Sequence, residues 1–223
     1  MKWISVSAAL LFIIPGFAQT QPAVSSLHDL GLPAAALDAN QLDNLIAPIA
    51  LYPDRVLLLA LNAAEYPAQL AEANRHVLHG DTTSVGDWDP SVSALLVLPN
   101  VISILTQNPQ WTNELGRAYV NQPQDLYDAS QRMRVRADAL GILVSSAEQL
   151  VSKSAAGDDT SIKIQSMDSA MIFIPVYNPL SVWGKPKNGR YPNLYYPGES
   201  YAGVSPEYHF WPGVDVGTSL TSD

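Results

Sequence analysis

Glu72, His76 and His79 stand at i, i+4 and i+7, the spacing of one helical face, with Asp81 just beyond. A carboxylate and two imidazoles at that spacing have the donor types of a Zn²⁺ site. One helical face supplies only part of a four-ligand set, and histidine near a helix C-terminus is equally explained by the helix dipole. The sequence therefore predicts no cofactor and no metal, with Glu72, His76 and His79 as the weak candidates. A second constellation is Trp88, Asp89, Trp111 and Glu114. Two carboxylates beside tryptophans could line a glycan cleft and work as acid and base. Each also has a structural use. Asp89 before Pro90 is a helix N-cap, Glu114 falls in a first helical turn, and the tryptophans can fill a core.

Arg117, Arg132, Arg134 and Arg136 could meet an anion or carboxylate. Alternate positions on a helix point different ways, however. Asp128 stands four residues before Arg132, which predicts surface pairing of roughly 0.3–0.5 kcal/mol per pair. Of the common catalytic motifs, Gly-x-Ser-x-Gly, the phosphate-binding loop and His-Glu-x-x-His are all missing. The histidines, His28, His76, His79 and His209, form no recognisable arrangement for a serine nucleophile.

The elements that must position these residues are short helices punctuated by proline. Over 42–77, Leu42, Leu45, Ile46 and Ile49 follow one helical face, with Asp38 or Asn40 as the cap. Tyr52-Pro53 and Tyr66-Pro67 break the chain, since a residue before proline is pushed out of the helical region. Between them 55–64 is apolar nearly all round, which predicts a central helix. The next helix, 67–78, is expected to turn Leu70, Ala71, Asn74, Val77 and Leu78 inward. Asp89-Pro90 and Asn108-Pro109 are strong helix starts. Asn100 is expected to cap a helix between them. Pro123 opens the longest helix, with Leu126, Ala129, Met133, Ala137 and Leu140 as its stripe, ending at Gly141.

After 155 the pattern changes to alternation. Ile162 and Ile164 alternate with Lys163 and Gln165, and 171–177 is a β-rich run, so the two are expected to pair as a hairpin. Both faces of 171–175 are apolar, so the strand must be covered on both sides or completed by a partner. Tyr177-Asn178-Pro179 is read as a turn and Val182-Trp183 as an extended contact. Residues 185–223 mix Tyr, Pro and Gly and are expected to be irregular chain with aromatic anchors.

Three ordered blocks carry a family resemblance: LDNLIAPIALYPDRVL; WDPSVSALLVLPNVI with WTNELGRAYVNQPQDLYDASQRMRVRA; and MIFIPVYNP. They span roughly 42–180 and resemble the bacterial domain of unknown function 3300 family. That resemblance implies an exported or envelope protein with a helical domain and a Pro/Tyr-rich C-terminal part. It implies no catalytic residues, so none are carried over. The chain departs from the family pattern in lacking a long low-complexity tail after its Tyr-rich stretch.

Residues 1–18 have the form of a signal peptide: Lys2, a mostly apolar run from Ile4 to Phe17, and Gly16-Phe17-Ala18 as a cleavage site. Cleavage after Ala18 predicts a periplasmic or secreted protein with no transmembrane segment in the mature chain. The net charge of −9 argues against nucleic acid as a partner. The chain has no cysteine, so an exported form is held together by its core alone. The expected architecture is mainly α: signal peptide 1–18, linker 19–37, a helical domain 38–156 built as a bundle of short Pro-initiated helices, a small β-hairpin appendage 157–184, and a Tyr/Pro/Gly-rich tail 185–223. The expected function is a non-catalytic interaction or structural module of the envelope, with an envelope protein or cell-wall material as partner. Phe173, Tyr177, Tyr195, Tyr196 and Trp211 are the candidate contact residues. The alternative is an enzyme acting on glycan or peptidoglycan through carboxylates near Trp88 and Trp111.

Overall fold

The structure, a computed structural model, describes residues 36–80, 87–156, 159–195 and 208–216. The expected leader, nearly all of the linker, Asp81 and Tyr196 lie outside the described residues. The fold is mainly α. Among the described residues seven helices come first: α1 (Ala39–Ile46), α2 (Asp54–Ala63), α3 (Pro67–Leu78), α4 (Pro90–Leu95), α5 (Pro99–Gln107), α6 (Pro109–Asn121) and α7 (Pro123–Ala139). Strands β1 (Gln149–Ala156), β2 (Asp159–Ser166), β3 (Met171–Ile172) and β4 (Pro175–Val176) follow, then α8 (Pro179–Trp183), β5 (His209–Phe210) and β6 (Val214–Asp215).

Proline opens most of these helices at their first position, where its missing N–H costs nothing. Pro53 instead precedes α2 as its N-cap. Asp38 caps α1 through a reciprocal box: its carboxylate accepts from Gln41 N at 2.9 Å while Gln41 Oε1 accepts from Asp38 N at 2.8 Å. Two expectations need correction. Helix α5 begins at Pro99 and not at an Asn100 cap. Asn178-Pro179 starts the short helix α8, because Asn178 Oδ1 accepts from Leu180 N at 2.9 Å, so Val182 and Trp183 are helical.

The apolar faces of α1 to α7 meet in one core, with Ile46, Ile49, Val56, Leu70, Leu95, Ile104, Leu115 and Met133 among its buried members. Helix α2 is central, as its all-round apolar sequence predicts, although Leu58 faces out. Close approach of α6 needs Gly116: a Cβ there would sit 2.3 Å from the Ala64 carbonyl oxygen. Ala71 is exposed while Ala73 takes the inward position of α3, and Leu78 and Leu140 also contradict their expected placement. Leu78 is 75% exposed and Leu140 is exposed too, because each is the last or next residue of its helix, beyond the packed face.

The β segment also corrects the expectation. Strand β2 pairs antiparallel with β1, from Gln149 opposite Ser166 to Ala156 opposite Asp159. It does not pair with 171–177. One edge of β2 is taken by β1. Against the other, Gln131 of α7 accepts from Ile162 N at 2.8 Å and donates to its carbonyl at 3.3 Å. No edge remains for β3 or β4 at that point. They pair instead with the tail, β3 with β6 and β4 with β5. Pro175 keeps the second of these ladders short, since it has no N–H to give. The described part of the tail thus contains strand as well as irregular chain.

Gln131 is one of three glutamines used this way. Gln122 accepts from Leu37 N at 2.8 Å and donates to Leu37 O at 3.0 Å. Gln107 accepts from Tyr195 N at 2.7 Å and donates to Tyr195 O at 2.8 Å. A primary amide offers one donor and one acceptor side by side, so each glutamine closes both backbone groups of one extended residue, as a neighbouring strand would. Three separate extended segments are thereby fastened to α5 and α7 and to the junction before α7.

Candidate functional site

Arg134 is the largest fully buried side chain among the described residues, 1% exposed, and its role was not read from the sequence. It projects from α7 into the bend between α1 and α2. Its Nε donates to Ala50 O at 2.8 Å, its Nη2 to Tyr52 O at 3.0 Å, and its Nη1 to Ile162 O at 3.0 Å and to Asp54 Oδ1 at 2.5 Å. A planar guanidinium presents donors in a fixed fork, which lets one side chain join three elements. The alternation of Arg132, Arg134 and Arg136 marks the division: Arg134 turns inward and its neighbours turn out. Asp128 is not the partner of Arg132. The Arg132 guanidinium reaches Asp43 instead, with Nε at 2.9 Å and Nη2 at 2.7 Å.

Arg132 and Arg136 line a cleft of about 730 Å³ between α1, α7, the start of β2 and the loop after α8. Asp43, the shared carboxylate, lies 4.0 Å from Arg136. The loop carrying Pro186 and Lys187 also lines the cleft. Asn44 of α1 fixes that loop by donating to Asn188 O at 2.7 Å. Gly189 makes the turn possible with φ of 69°. Tyr191 closes the floor, its ring against Trp183 at a centroid distance of 6.5 Å. Burial raises the pKa of the Tyr191 hydroxyl, while the neighbouring Arg136 works the other way. A second cleft of about 520 Å³ shares Asn44 and Tyr191 with the first and is bordered by Trp111, Glu114 and Arg190.

The predicted metal candidates are engaged otherwise. The Glu72 carboxylate accepts from Trp88 Nε1 at 3.2 Å, the His76 ring meets Trp88 edge-on at 5.4 Å, and His79 Nδ1 contacts the Arg75 carbonyl at 2.7 Å. Among the described residues no three His, Asp or Glu side chains converge on a metal position. The predicted carboxylate pair is not brought together either. Asp89 accepts from Ser91 N at 2.8 Å and from Ser91 Oγ at 2.5 Å, and these bonds hold its pKa below the usual carboxylate range. Glu114 stands in the second turn of α6, exposed, and Trp111 is buried with its Nε1 donating to Leu45 O at 2.8 Å.

The candidate contact residues fall in different places. Tyr177 is inside the fold, 1% exposed, so it offers no surface: its hydroxyl donates to Ala47 O at 2.9 Å and accepts from Leu51 N at 3.1 Å. Its ring joins a chain of aromatics, edge-on to Trp183 at 5.7 Å and tilted to Tyr208 at 5.9 Å, with Phe210 edge-on to Tyr208 at 5.4 Å. Phe173 is half-buried over Gly213, where a Cβ would lie 2.6 Å from the ring. Trp211 is half-buried, its backbone N–H donating to Ile174 O at 3.0 Å, and Tyr195 is exposed above the Gln107 clamp.

The sequence model of a family described as "Protein of unknown function (DUF3300)" matches residues 38–222, nearly all of the described structure. The chain belongs to that family. This DUF3300 chain is also 31% identical, over 231 aligned positions, to "Uncharacterized protein YacH" of Escherichia coli strain K12. The alignment covers 87% of the DUF3300 chain but only 37% of YacH, so the chain spans about a third of that relative's length. No solved structure matches it. No helix among the described residues is long and apolar enough to cross a membrane.

Proposed function

We propose that this chain is an exported envelope protein that acts by binding and not by catalysis, with an envelope protein or cell-wall material as its partner. The observation that carries the reading is the division of labour among its polar side chains. Asp89 and Trp111, which an acid–base site would need free, are committed to a helix cap and to the core. Asp43 with Arg132 and Arg136, together with Lys187, instead lines an open cleft, which is an arrangement for holding a ligand. Export is supported by the leader-like residues 1–18, with cleavage after Ala18 delivering the chain to the periplasm or beyond. Phe173, Tyr195, Tyr196 and Trp211 are proposed as further contacts from the C-terminal part, with Tyr177 holding that part in place from within.

The alternative, a glycan-acting enzyme, draws on one observation: Glu114 and Trp111 border the smaller cleft. Asp89 is not on its wall. Incubating the purified protein with peptidoglycan separates the two readings. Co-sedimentation without released muropeptides supports binding, whereas release of muropeptides that Glu114→Gln abolishes would establish the enzyme.

A further inference from the structure

We propose that the larger cleft binds a carboxylate-bearing oligosaccharide, an inference that rests on the reading of this protein as a binding module for cell-wall material. Charge is the first argument. The chain as a whole has 21 Asp and Glu against 12 Lys and Arg. The cleft reverses that ratio, with Arg132, Arg136 and Lys187 facing Asp43 and Asp128. Arg132 and Asp43 neutralise each other at 2.7 Å. Asp128 accepts from Gln124 at 2.8 Å. Arg136 is held at the cleft by Asp43 at 4.0 Å, the Met133 sulfur at 3.4 Å and the Tyr191 hydroxyl, and none of these is a close carboxylate that would use up its charge. Lys187 has no ion-pair partner among the described residues. Two cations from different elements on one cleft, a guanidinium and an ammonium, suit a carboxylate held by both.

The rest of the lining argues for a sugar as the carrier of that carboxylate. Asn40, Thr160 and Ser161 border the cleft with side chains that take no hydrogen bond among the described residues. Amides and hydroxyls both donate and accept, which matches the dual character of sugar hydroxyls. Tyr127 is exposed at the rim, presenting a rigid apolar face on which a pyranose ring can rest. Val135, Pro186 and the Tyr191 ring add apolar lining among these polar groups, the mixed surface that a sugar ring with its hydroxyls presents in return. A volume of about 730 Å³ lies within the ordinary span of ligand sites, and the second cleft shares Asn44 and Tyr191 with it. Room for more than one sugar unit points to an oligomer.

Isothermal titration of the intact chain with trigalacturonate tests this, beside a neutral galactose trisaccharide, triglutamate and inorganic phosphate. Trigalacturonate is expected to bind at least about tenfold more tightly than the neutral trisaccharide, and less tightly as salt is raised. Arg136→Gln and Lys187→Gln should each weaken it about fivefold or more, since each removes one charged partner from an exposed site. Both side chains are exposed or nearly so, and Lys187→Gln, on a loop outside the core, carries the test should Arg136→Gln lower the melting temperature. Equal binding of the acidic and neutral sugars, or variants that bind like the parent, would overturn the proposal. Triglutamate binding as tightly would make the cleft a site for acidic peptides, and phosphate binding as tightly would make it a simple anion site; either result overturns the sugar assignment. Cleavage of the trisaccharide during titration would defeat the non-catalytic reading while leaving the binding site standing.

Discussion

The Arg134 guanidinium and the Asp54 carboxylate meet at 2.5 Å, the first buried and the second at the surface edge. The pair ties α7 to the first turn of α2, and the carbonyls of Ala50, Tyr52 and Ile162 complete the guanidinium's set. Replacing Arg134 with Met leaves these acceptors buried without a donor. We expect a loss of about 3 kcal/mol or more, at roughly 1–3 kcal/mol for each buried carbonyl left without a donor. Asp54→Asn should cost less: it leaves the buried guanidinium without its carboxylate, but the amide oxygen can still accept from Nη1 and the three carbonyl bonds remain. Urea unfolding of both variants checks the order. Equal effects would mean that the backbone bonds of Arg134 contribute little.

Tyr177→Phe isolates a single hydroxyl. The ring and its contacts with Trp183 and Tyr208 stay, while Ala47 O and Leu51 N lose their partner. Destabilisation of about 1–3 kcal/mol is expected, the cost of leaving buried polar groups unmatched. A melting temperature equal to the parent's would show that water or a local shift replaces the hydroxyl.

Gly116→Ala places a methyl carbon 2.3 Å from the Ala64 carbonyl oxygen. The obstacle is backbone at the end of α2, so α6 must move as a body. We expect a loss of about 1–3 kcal/mol by overpacking, read by thermal denaturation. Gly141→Ala, at a position open in space but with φ of 72°, should be destabilising by backbone strain alone.

Alkali should unfold the protein through its buried tyrosines. Burial raises the pKa of Tyr52 and of Tyr208 above the ordinary 10.0. The unfolded chain then loses these protons at a lower pH than the folded one. Stability is therefore complete below about pH 10 and falls as pH rises through the raised folded values. Tyr208→Phe should flatten part of that decline in a pH series of melts, and an unchanged slope would show that Tyr208 is not its source.

Phe173→Ala separates packing from contact. The half-buried ring covers Gly213 on the β3–β6 side. Loss of about 1–2 kcal/mol is expected, less than the ~3–5 kcal/mol of a fully buried phenylalanine. An unchanged melt with lost capture of cell-wall material would assign Phe173 to a binding edge instead.

The helices were legible because their signals are local. Pro67, Pro90, Pro109 and Pro123 set both the start and the backbone angle of their helices, and Asp38 with Gln41 spells out a cap within four residues. The pairing of β2 was not legible. Alternation identifies Ile162 and Ile164 as strand residues but says nothing about which of two neighbouring runs completes them. β1 takes one edge of β2, and Gln131, about 30 residues upstream on a helix, closes the other. Arg134 was hidden for the same reason: periodicity gives its direction only once the position of the core is known, and an arginine is not ordinarily counted as core. The cleft needed the loop around Lys187, whose place depends on Asn44, 144 residues away from Asn188.

The glutamine clamps distribute sequence constraint unevenly. Gln107 and Gln131 read only the backbones of Tyr195 and Ile162, as Gln122 reads that of Leu37, and backbone is common to all residues. The route of each held segment is thus written on the helical framework and not in the segment itself. Outward-facing side chains on those segments are free to change without losing their anchorage. A chain organised in this way can vary the chemistry of its extended surface while the three amides that hold it stay fixed.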